Sequence, residues 1–276
     1  MRYPWLLAIL ASLAPMPSPA VAQDDQQQRQ WCSSDQTDPD LRIGACTALI
    51  QSGRLSNSDL TIAFYDRGLA YYGKGQYDRA IQDYDQAIRL NPNYAKAFNN
   101  RGIAHGEQGQ HDRAIQDFDQ AIQLNPNDAE AFSNRCSAYD GKGQYDRAIQ
   151  DCDQAIRVDP NNADAFNGRC WDRAILGQLQ PALTDCNEAL RLRPNDANTL
   201  DSRGFTYLKL GRLDAAIADY NAALRLAPRM ASSLYGRGLA YLSQNNRANA
   251  SRDIAAAKQI DPNIANKFRG YGMPGP

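Results

Sequence analysis

Apolar and polar positions along the chain repeat with a period of 34 residues between residues 61 and 262. Each period contains two runs in which apolar residues recur every three or four positions, which is the spacing of an amphipathic α-helix. In the first period, one run covers about 61–73 and the other lies between Gly75 and Pro92. Glycine can end a helix in the left-handed conformation, and the residue before a proline avoids the helical region. The pattern therefore predicts two short helices per period.

The residues that end and pack these helices keep the same step through six copies. The helix-ending prolines are Pro92, Pro126, Pro160, Pro194, Pro228 and Pro262. An alanine in the second run recurs as Ala80, Ala114, Ala148, Ala182, Ala216 and Ala250. A fixed period of this length indicates stacked units that share one core, although 276 residues alone would suggest about two ordinary domains.

The pattern resembles the tetratricopeptide repeat, whose signature positions are matched by Phe64, Gly68, Tyr71, Ala80, Tyr84 and Pro92. The resemblance implies an all-α fold, a solenoid of helical hairpins wound into a right-handed superhelix. Six repeats are expected within 61–262, with the boundaries 61–94, 95–128, 129–162, 163–196, 197–230 and 231–264. Residues 31–60 are expected to form a degenerate N-terminal capping repeat. Residues 263–276 are expected to form a short capping helix and a disordered tail.

The chain departs from the family pattern at one position in every copy, where arginine replaces leucine. The arginines are Arg67, Arg101, Arg135, Arg169, Arg203 and Arg237, and each is followed sixteen residues later by an aspartate: Asp83, Asp117, Asp151, Asp185, Asp219 and Asp253. An unpaired buried charge costs several kcal/mol, so we expect partly buried ion pairs within a repeat or with its neighbour. The alternative is a row of solvated surface pairs. A row of anion-binding sites is disfavoured because each cation has its own anion.

Two positions sixteen residues apart vary together from copy to copy. Four copies combine glycine with a larger side chain, and two combine cysteine with cysteine: Gly68/Tyr84, Gly102/Phe118, Cys136/Cys152, Cys170/Cys186, Gly204/Tyr220 and Gly238/Ile254. Because packed interfaces need complementary volumes, this pattern predicts that the two positions touch across the hairpin. Aligning residues 40–50 with 78–88 extends the same logic to the N-terminal region.

Three structural disulfides are therefore predicted: Cys32–Cys46, Cys136–Cys152 and Cys170–Cys186. Free buried thiols remain an alternative. A zinc site is disfavoured because closely spaced cysteine ligands are absent, and the chain has no C-x-x-C redox motif.

The N-terminus has the pattern of an export signal. A basic residue is followed by the apolar run 5–14 and by the small residues AVA at 20–22. We expect a signal peptide over 1–22, cleaved between Ala22 and Gln23, and a flexible tether over 23–30. The mature protein would be periplasmic or secreted and would not insert into a membrane, and the paired cysteines fit an oxidising compartment. The alternative is an uncleaved membrane anchor.

Charge and motifs argue against nucleic-acid binding and catalysis. The chain has 30 basic and 31 acidic residues without a basic cluster. Its two histidines, His105 and His111, are six residues apart, which is not the spacing of metal ligands on a helix. No phosphate-binding loop or nucleophile elbow is present. We expect no enzyme activity, no cofactor and no metal.

The resemblance implies that the first helix of each hairpin lines a concave groove that binds a peptide. The candidate groove residues are Tyr65, Tyr72, Asn99, Asn100, Ser133, Asn134, Asn167, Trp171, Asp201, Phe205 and Tyr235. Asparagine amides can donate to and accept from a peptide backbone, and Trp171 and Phe205 are candidate aromatic anchors. Trp171 could instead fill a local packing gap. The groove lacks most of the lysines with which related proteins clamp a carboxylate.

The sequence thus predicts a non-enzymatic scaffold or adaptor that binds a protein or peptide partner in the bacterial cell envelope. The alternative is a structural subunit that assembles by end-to-end stacking of solenoids. Self-association through an apolar end is compatible with either function.

Overall fold

The computed structural model describes residues 19–275, and every regular element within that range is an α-helix. The predicted signal peptide therefore lies almost entirely outside the described residues. The helices are α1 (Pro19–Ser33), α2 (Pro39–Gln51), α3 (Asn57–Gly73), α4 (Tyr77–Leu90), α5 (Ala95–Glu107), α6 (His111–Leu124), α7 (Ala129–Gly141), α8 (Tyr145–Val158), α9 (Ala163–Ile175), α10 (Leu179–Leu192), α11 (Ala197–Lys209), α12 (Leu213–Leu226), α13 (Ala231–Ser243), α14 (Arg247–Ile260) and α15 (Ile264–Gly270). None of these helices is long and apolar enough to span a membrane.

Helices α3 to α14 form the six predicted hairpins, α3/α4 to α13/α14. We call the first helix of each hairpin the A helix and the second the B helix. Five of the hairpin turns contain a glycine with positive φ, as at Gly75, where φ is 69°. The sixth turn uses Asn245 with φ of 63°, because asparagine tolerates this conformation better than most residues. Local sequence therefore sets where each hairpin turns.

The chain divides into two compact units, one ending at Asn91 and the other beginning at Pro92. In the first unit, α1 and α2 pack together and α3 contacts both. In the second unit, the A helices α5, α7, α9, α11 and α13 each contact the next A helix. The B helices of this unit contact no other B helix among the described residues. The A helices are thus the more closely spaced layer of the second unit, and we call their shared surface the inner face.

The predicted contact between covarying positions is confirmed. A methyl group added at Gly68 would lie 2.6 Å from Cε1 of Tyr84, and one at Gly102 would lie 2.7 Å from Cε1 of Phe118. Both rings are almost completely buried. Glycine is needed on the A helix because the ring of the B helix fills the space that a side chain would occupy.

In two of the six hairpins, and between α1 and α2, two cysteines occupy this contact. The three predicted pairs are each at disulfide distance, with Cα–Cα separations of 4.9 Å for Cys32–Cys46, 5.6 Å for Cys136–Cys152 and 5.4 Å for Cys170–Cys186. All six cysteines are buried. Each pair ties the two helices of one hairpin together, across the interface that a glycine and a ring fill in other copies.

The predicted arginine–aspartate pairs are also present, and the aspartates are buried. In the third hairpin, Nε and Nη2 of Arg135 donate to the two carboxylate oxygens of Asp151 at 2.7 and 2.6 Å. Nη1 donates to Asp119 on the preceding B helix at 2.5 Å. The arginine therefore joins three helices, and the partly buried arrangement is the one that the structure adopts.

Three features of the termini differ from the sequence-based predictions. Residues 23–30, predicted as a flexible tether, lie within α1, where Arg54 of the same unit donates to Asp25 at 2.5 Å. Cys32 lies near the end of the same helix. Helix α3 begins at Asn57 rather than at 61, because Ser56 caps it by accepting a hydrogen bond from the backbone of Asp59.

The third difference concerns the tail after α15, which was predicted to be disordered. Tyr271 and Met273 pack against the core of the second unit, and the backbone N–H of Met273 donates to the carbonyl of Phe268. Apolar side chains at these positions explain why the first residues after the helix are packed.

Replacing Gly68 with alanine should destabilise the protein, since the new methyl would overlap the Tyr84 ring. We expect a loss of about 1–3 kcal/mol in the free energy of unfolding, measured by urea denaturation. The matched control is Gly44→Ala on α2, where nothing lies within 4 Å. That variant should be more stable by about 0.5–1 kcal/mol, because alanine favours helix over glycine. Equal effects of the two substitutions would contradict the packing account.

The cysteine pair of the third hairpin should be convertible into the glycine–ring pair of the second. Cys152→Phe alone removes the disulfide, a loss of about 3 kcal/mol, and crowds the new ring against Cys136. Adding Cys136→Gly recreates the Gly102–Phe118 arrangement and should recover about 1–2 kcal/mol of that loss. Urea denaturation of both variants gives the comparison. If the double variant is no more stable than Cys152→Phe, a glycine–ring pair cannot replace the cysteine pair at these two positions.

Candidate functional site

All eleven predicted groove residues lie on A helices, but they differ in accessibility. Asn99, Ser133, Asp201, Phe205 and Tyr235 are buried, and the remainder are partly exposed. The partly exposed set consists of Tyr65, Tyr72, Asn100, Asn134, Asn167 and Trp171. Position on an A helix therefore does not by itself make a side chain available to a partner.

In the first unit, the two candidate tyrosines on α3 pack against rings of α4. The ring centroid of Tyr65 lies 5.9 Å from that of Tyr84, and the centroid of Tyr72 lies 5.5 Å from that of Tyr77. The neighbouring Asp66 accepts a hydrogen bond from Arg42 at 3.3 Å. Burial raises the pKa of Asp66 to about 6. The two candidate tyrosines of α3 are therefore in contact with rings of their own hairpin.

In the second unit, helices α5 and α7 share an amide contact. Nδ2 of Asn134 donates to Oδ1 of Asn99 at 3.1 Å, so these two candidate amides hydrogen-bond to each other. Beside it lies a cavity of about 330 Å³. Its lining includes Ile103, Glu107, His111, Phe118, Asn134 and Ser137. This cavity offers both apolar and hydrogen-bonding groups.

The two histidines have different surroundings. His105 is buried on α5, and its Nδ1 lies 3.1 Å from Oε1 of Gln110. Burial lowers the pKa of His105. His111 packs over Gly141, where an added methyl would lie 2.6 Å from the imidazole. Within the side chains that the structure describes, no group of three or more histidine, cysteine or acidic residues could hold a metal ion.

An aromatic cluster covers the inner face from α9 to α13. Trp171 lies 5.0 Å from Phe205 and 5.2 Å from Tyr271, measured between ring centroids. Phe268 lies 5.8 Å from Phe205 and 4.8 Å from Tyr235. The candidate anchors Trp171 and Phe205 are thus in contact with the C-terminal segment of the chain itself. The sequence reasoning missed Phe268 and Tyr271 as members of this site, although two aromatics in a glycine-rich tail were a visible signal.

Lys209 fixes the end of this C-terminal segment. Its Nζ donates to the backbone carbonyls of Ile175 at 3.0 Å and Tyr271 at 3.1 Å, and it lies 5.4 Å from the centroid of the Phe205 ring. Burial lowers the pKa of Lys209. The ammonium group binds carbonyls at the C-terminal ends of two helices, where the helix dipole favours a positive charge.

A cavity of about 500 Å³ lies between the aromatic cluster and α15. Its lining includes Asp140, Trp171, Asp201, Ser232, Asp261 and Lys267. Oγ of Ser233 donates to Asp201 at 2.5 Å, and burial raises the pKa of Asp201 to about 6. The cavity combines carboxylates with aromatic rings, a lining that suits a basic side chain with an apolar stem.

Two carboxyl groups interact beneath Trp171. Asp172 is 0% exposed, and its Oδ1 has no hydrogen-bond partner among the described residues. Asp140 interacts with Asp172 and with the Trp171 indole. Burial, together with the neighbouring Asp140, raises the pKa of Asp172 to about 9. One proton is therefore retained by this carboxyl pair at neutral pH.

Stability should depend on pH through Asp172. The folded protein keeps a proton on Asp172 that the unfolded chain releases above the ordinary carboxyl pKa. The stability that Asp172 contributes is therefore full below about pH 4 and is lost as pH rises toward about 9. Through this group, the free energy of unfolding of the wild type should fall by on the order of 1–3 kcal/mol between pH 5 and pH 9. Asp172→Asn, which mimics the protonated acid, should abolish that decrease. Urea denaturation at both pH values measures it, with the exposed Asp146→Asn as control. An unchanged pH dependence in Asp172→Asn would show that the carboxyl is ionised when folded.

Sequence-family models identify the repeats directly. A model described as "TPR repeat" matches residues 68–109 and 204–245, and one described as "Tetratricopeptide repeat" matches 95–128 and 129–162. Together these stretches cover just under half of the chain. A search of curated protein sequences found no significant match.

Solved structures with the same fold align over most of the chain. A tetratricopeptide repeat protein from Parabacteroides merdae aligns with a TM-score of 0.71 and 19% identity, over 91% of this chain and 100% of its own. A chain of the APC/C hetero-tetramer Cut9–Hcn1 gives 0.70 and 18%, over 91% of this chain and 54% of its own. PilF from Pseudomonas aeruginosa gives 0.63 and 16%, over 77% and 98%. These similarities confirm the all-α fold of repeated helical hairpins.

Proposed function

Because the chain carries tetratricopeptide repeats, we propose that it is a non-enzymatic interaction scaffold that binds a polypeptide partner on the inner face. Repeats of this kind typically serve protein–protein interaction. The proposal concerns α5, α7, α9, α11 and α13, whose side chains form one continuous layer in the second unit.

The observation that carries this proposal is the chemistry of the two cavities on the inner face. The cavity of about 330 Å³ beside α5 and α7 combines Ile103 and Phe118 with the polar groups of Asn134 and Ser137. The cavity of about 500 Å³ combines aromatic rings with carboxylates. Polypeptides are recognised by such apolar pockets with a few convergent hydrogen-bonding groups.

We further propose that the protein works outside the cytoplasm, in the bacterial cell envelope. Three cysteine pairs at disulfide distance support an oxidising compartment, because cytosolic thiols are kept reduced. The apolar run at 5–14 followed by small residues supports export.

Site-specific photocrosslinking in cells tests the proposed surface. A photoreactive phenylalanine is placed at Ser137, which lines the smaller cavity, and in a separate variant at the exposed Gln116 on the B helix α6. We expect a discrete adduct from position 137 and none from position 116. The adduct is identified by mass spectrometry, and the purified partner is titrated against wild type and Asn134→Ala. Loss of the amide should weaken binding about fivefold, the equivalent of about 1 kcal/mol.

Crosslinks confined to position 116 would contradict the assignment to the inner face. An adduct containing a second copy of this chain, accompanied by a mass that rises with concentration in sedimentation, would favour the stacking subunit instead. Wild-type affinity in Asn134→Ala would exclude a role for that amide in binding.

A further inference from the structure

The C-terminal segment does not continue the repeat that precedes it. By the 34-residue step, Phe268 corresponds to Leu234 of the preceding A helix, so a seventh A helix would be expected to extend the stack. Instead, Phe268 contacts Phe205 on α11, and Tyr271 contacts Trp171 on α9. The segment from Ile264 to Met273 therefore crosses the inner face toward hairpins that lie earlier in the chain.

The segment packs on the inner face in the way that a bound helical peptide would. Ile264, Phe268 and Tyr271 follow the spacing i, i+4 and i+7, which places them on one side of a helix. Ile264 and Phe268 are 4% and 2% exposed, whereas Lys267 and Arg269 point to solvent. A seven-residue helix is not stable alone in water, so its conformation depends on the surface beneath it.

Specific groups of the inner face receive this segment. Trp171, Phe205 and Tyr235, which we call the aromatic surface, contact its two rings. Lys209 donates to the Tyr271 carbonyl at its end. Lys267 lines the cavity that also contains Asp140 and Asp201, and its Nζ donates to Asp261 of the connecting residues at 2.8 Å. Apolar contacts and hydrogen bonding therefore hold the segment on this surface.

We propose that the aromatic surface is a docking site for a helical segment of a partner protein, and that Ile264–Met273 is an internal ligand which the partner displaces. The partner segment would carry an apolar residue and two aromatics at i, i+4 and i+7. This inference rests on the proposed function and names its partner class.

A second copy of the chain is a poor competitor for this site. Only Asp261, Pro262 and Asn263 connect α14 to α15, and a short link gives a tethered segment an effective concentration in the millimolar range. The same segment supplied by another copy makes the same contacts without that advantage. A partner helix longer than seven residues can bury more surface and overcome the tether. Only molecules in which the internal ligand has left the aromatic surface can bind the partner. The partner's apparent affinity is therefore its intrinsic affinity multiplied by the fraction of such open molecules.

The test uses the full chain and a synthetic peptide of residues 261–276 labelled with fluorescein. Phe268→Ala/Tyr271→Ala removes the anchors of the internal ligand and exposes the aromatic surface. We expect this variant to bind the peptide at least tenfold more tightly than wild type by fluorescence anisotropy. A peptide with both aromatics replaced by alanine should not bind. The matched control protein, Asn266→Ala/Arg269→Ala, alters only exposed positions outside the cavity lining and should bind the peptide as weakly as wild type does.

The aromatic surface is tested by adding Trp171→Ala to the released variant, which should lose at least tenfold in affinity. Circular dichroism establishes that each variant is folded, and Tyr271→Ala alone replaces the double variant if that one unfolds. Equal peptide affinity in the wild type and the released variant, or unchanged binding after Trp171→Ala, would overturn the proposal. A wild-type dimer that dissociates in the released variant would also overturn it, since the occupant would be a second copy. Crosslinking at Ser137 is independent of these results, so the proposed function can survive the loss of this site.

Discussion

The repeated structure depends on one interaction, the buried pairing of an A-helix arginine with a B-helix aspartate. The guanidinium of Arg135 donates two parallel hydrogen bonds to Asp151 and a third to Asp119 of the preceding hairpin. Its planar fork also lies over the Phe132 ring, 5.6 Å from the centroid. A carboxylate buried without its partner would cost several kcal/mol, so a slip of the A helix against the B helix of its own hairpin would be strongly disfavoured. The buried charge pair therefore specifies how the two helices of a hairpin meet, and the contact with Asp119 joins successive hairpins.

With register set by charge, the hairpin core can be built from small and complementary side chains. Alanine dominates the buried positions, and a glycine faces a ring or two cysteines face each other. These contacts lie between the two helices of a hairpin, leaving the inner-face side chains free to differ from copy to copy. Ser137, Trp171 and Phe205 occupy equivalent positions, 34 residues apart, but have unlike chemistry. Variation on a fixed scaffold is the physical basis for a specific binding surface.

The region around Trp171 departs most from this regularity. It combines a fully buried carboxyl, Asp172, with a neighbouring acid and with rings supplied by the end of the chain. Burying a carboxyl without a full set of hydrogen bonds costs free energy, and such costs concentrate where a surface serves binding rather than packing. Trp171 packs against Phe205 of the next A helix and against Tyr271 of the C-terminal segment.

The sequence by itself determined the six hairpins, the arginine–aspartate pairs and the cysteine pairing. Each of these contacts recurs at a fixed separation, so the copies report on one another. Only the tertiary structure decided that Asn99 and Asn134 satisfy each other, that residues 23–30 are helical, and that Tyr271 reaches Trp171. Those contacts occur once, between positions that no other copy repeats, and their energy comes from surfaces that exist only after the hairpins have packed. Periodicity encodes what is repeated, whereas a contact that occurs once has no second copy in the sequence to reveal its partner.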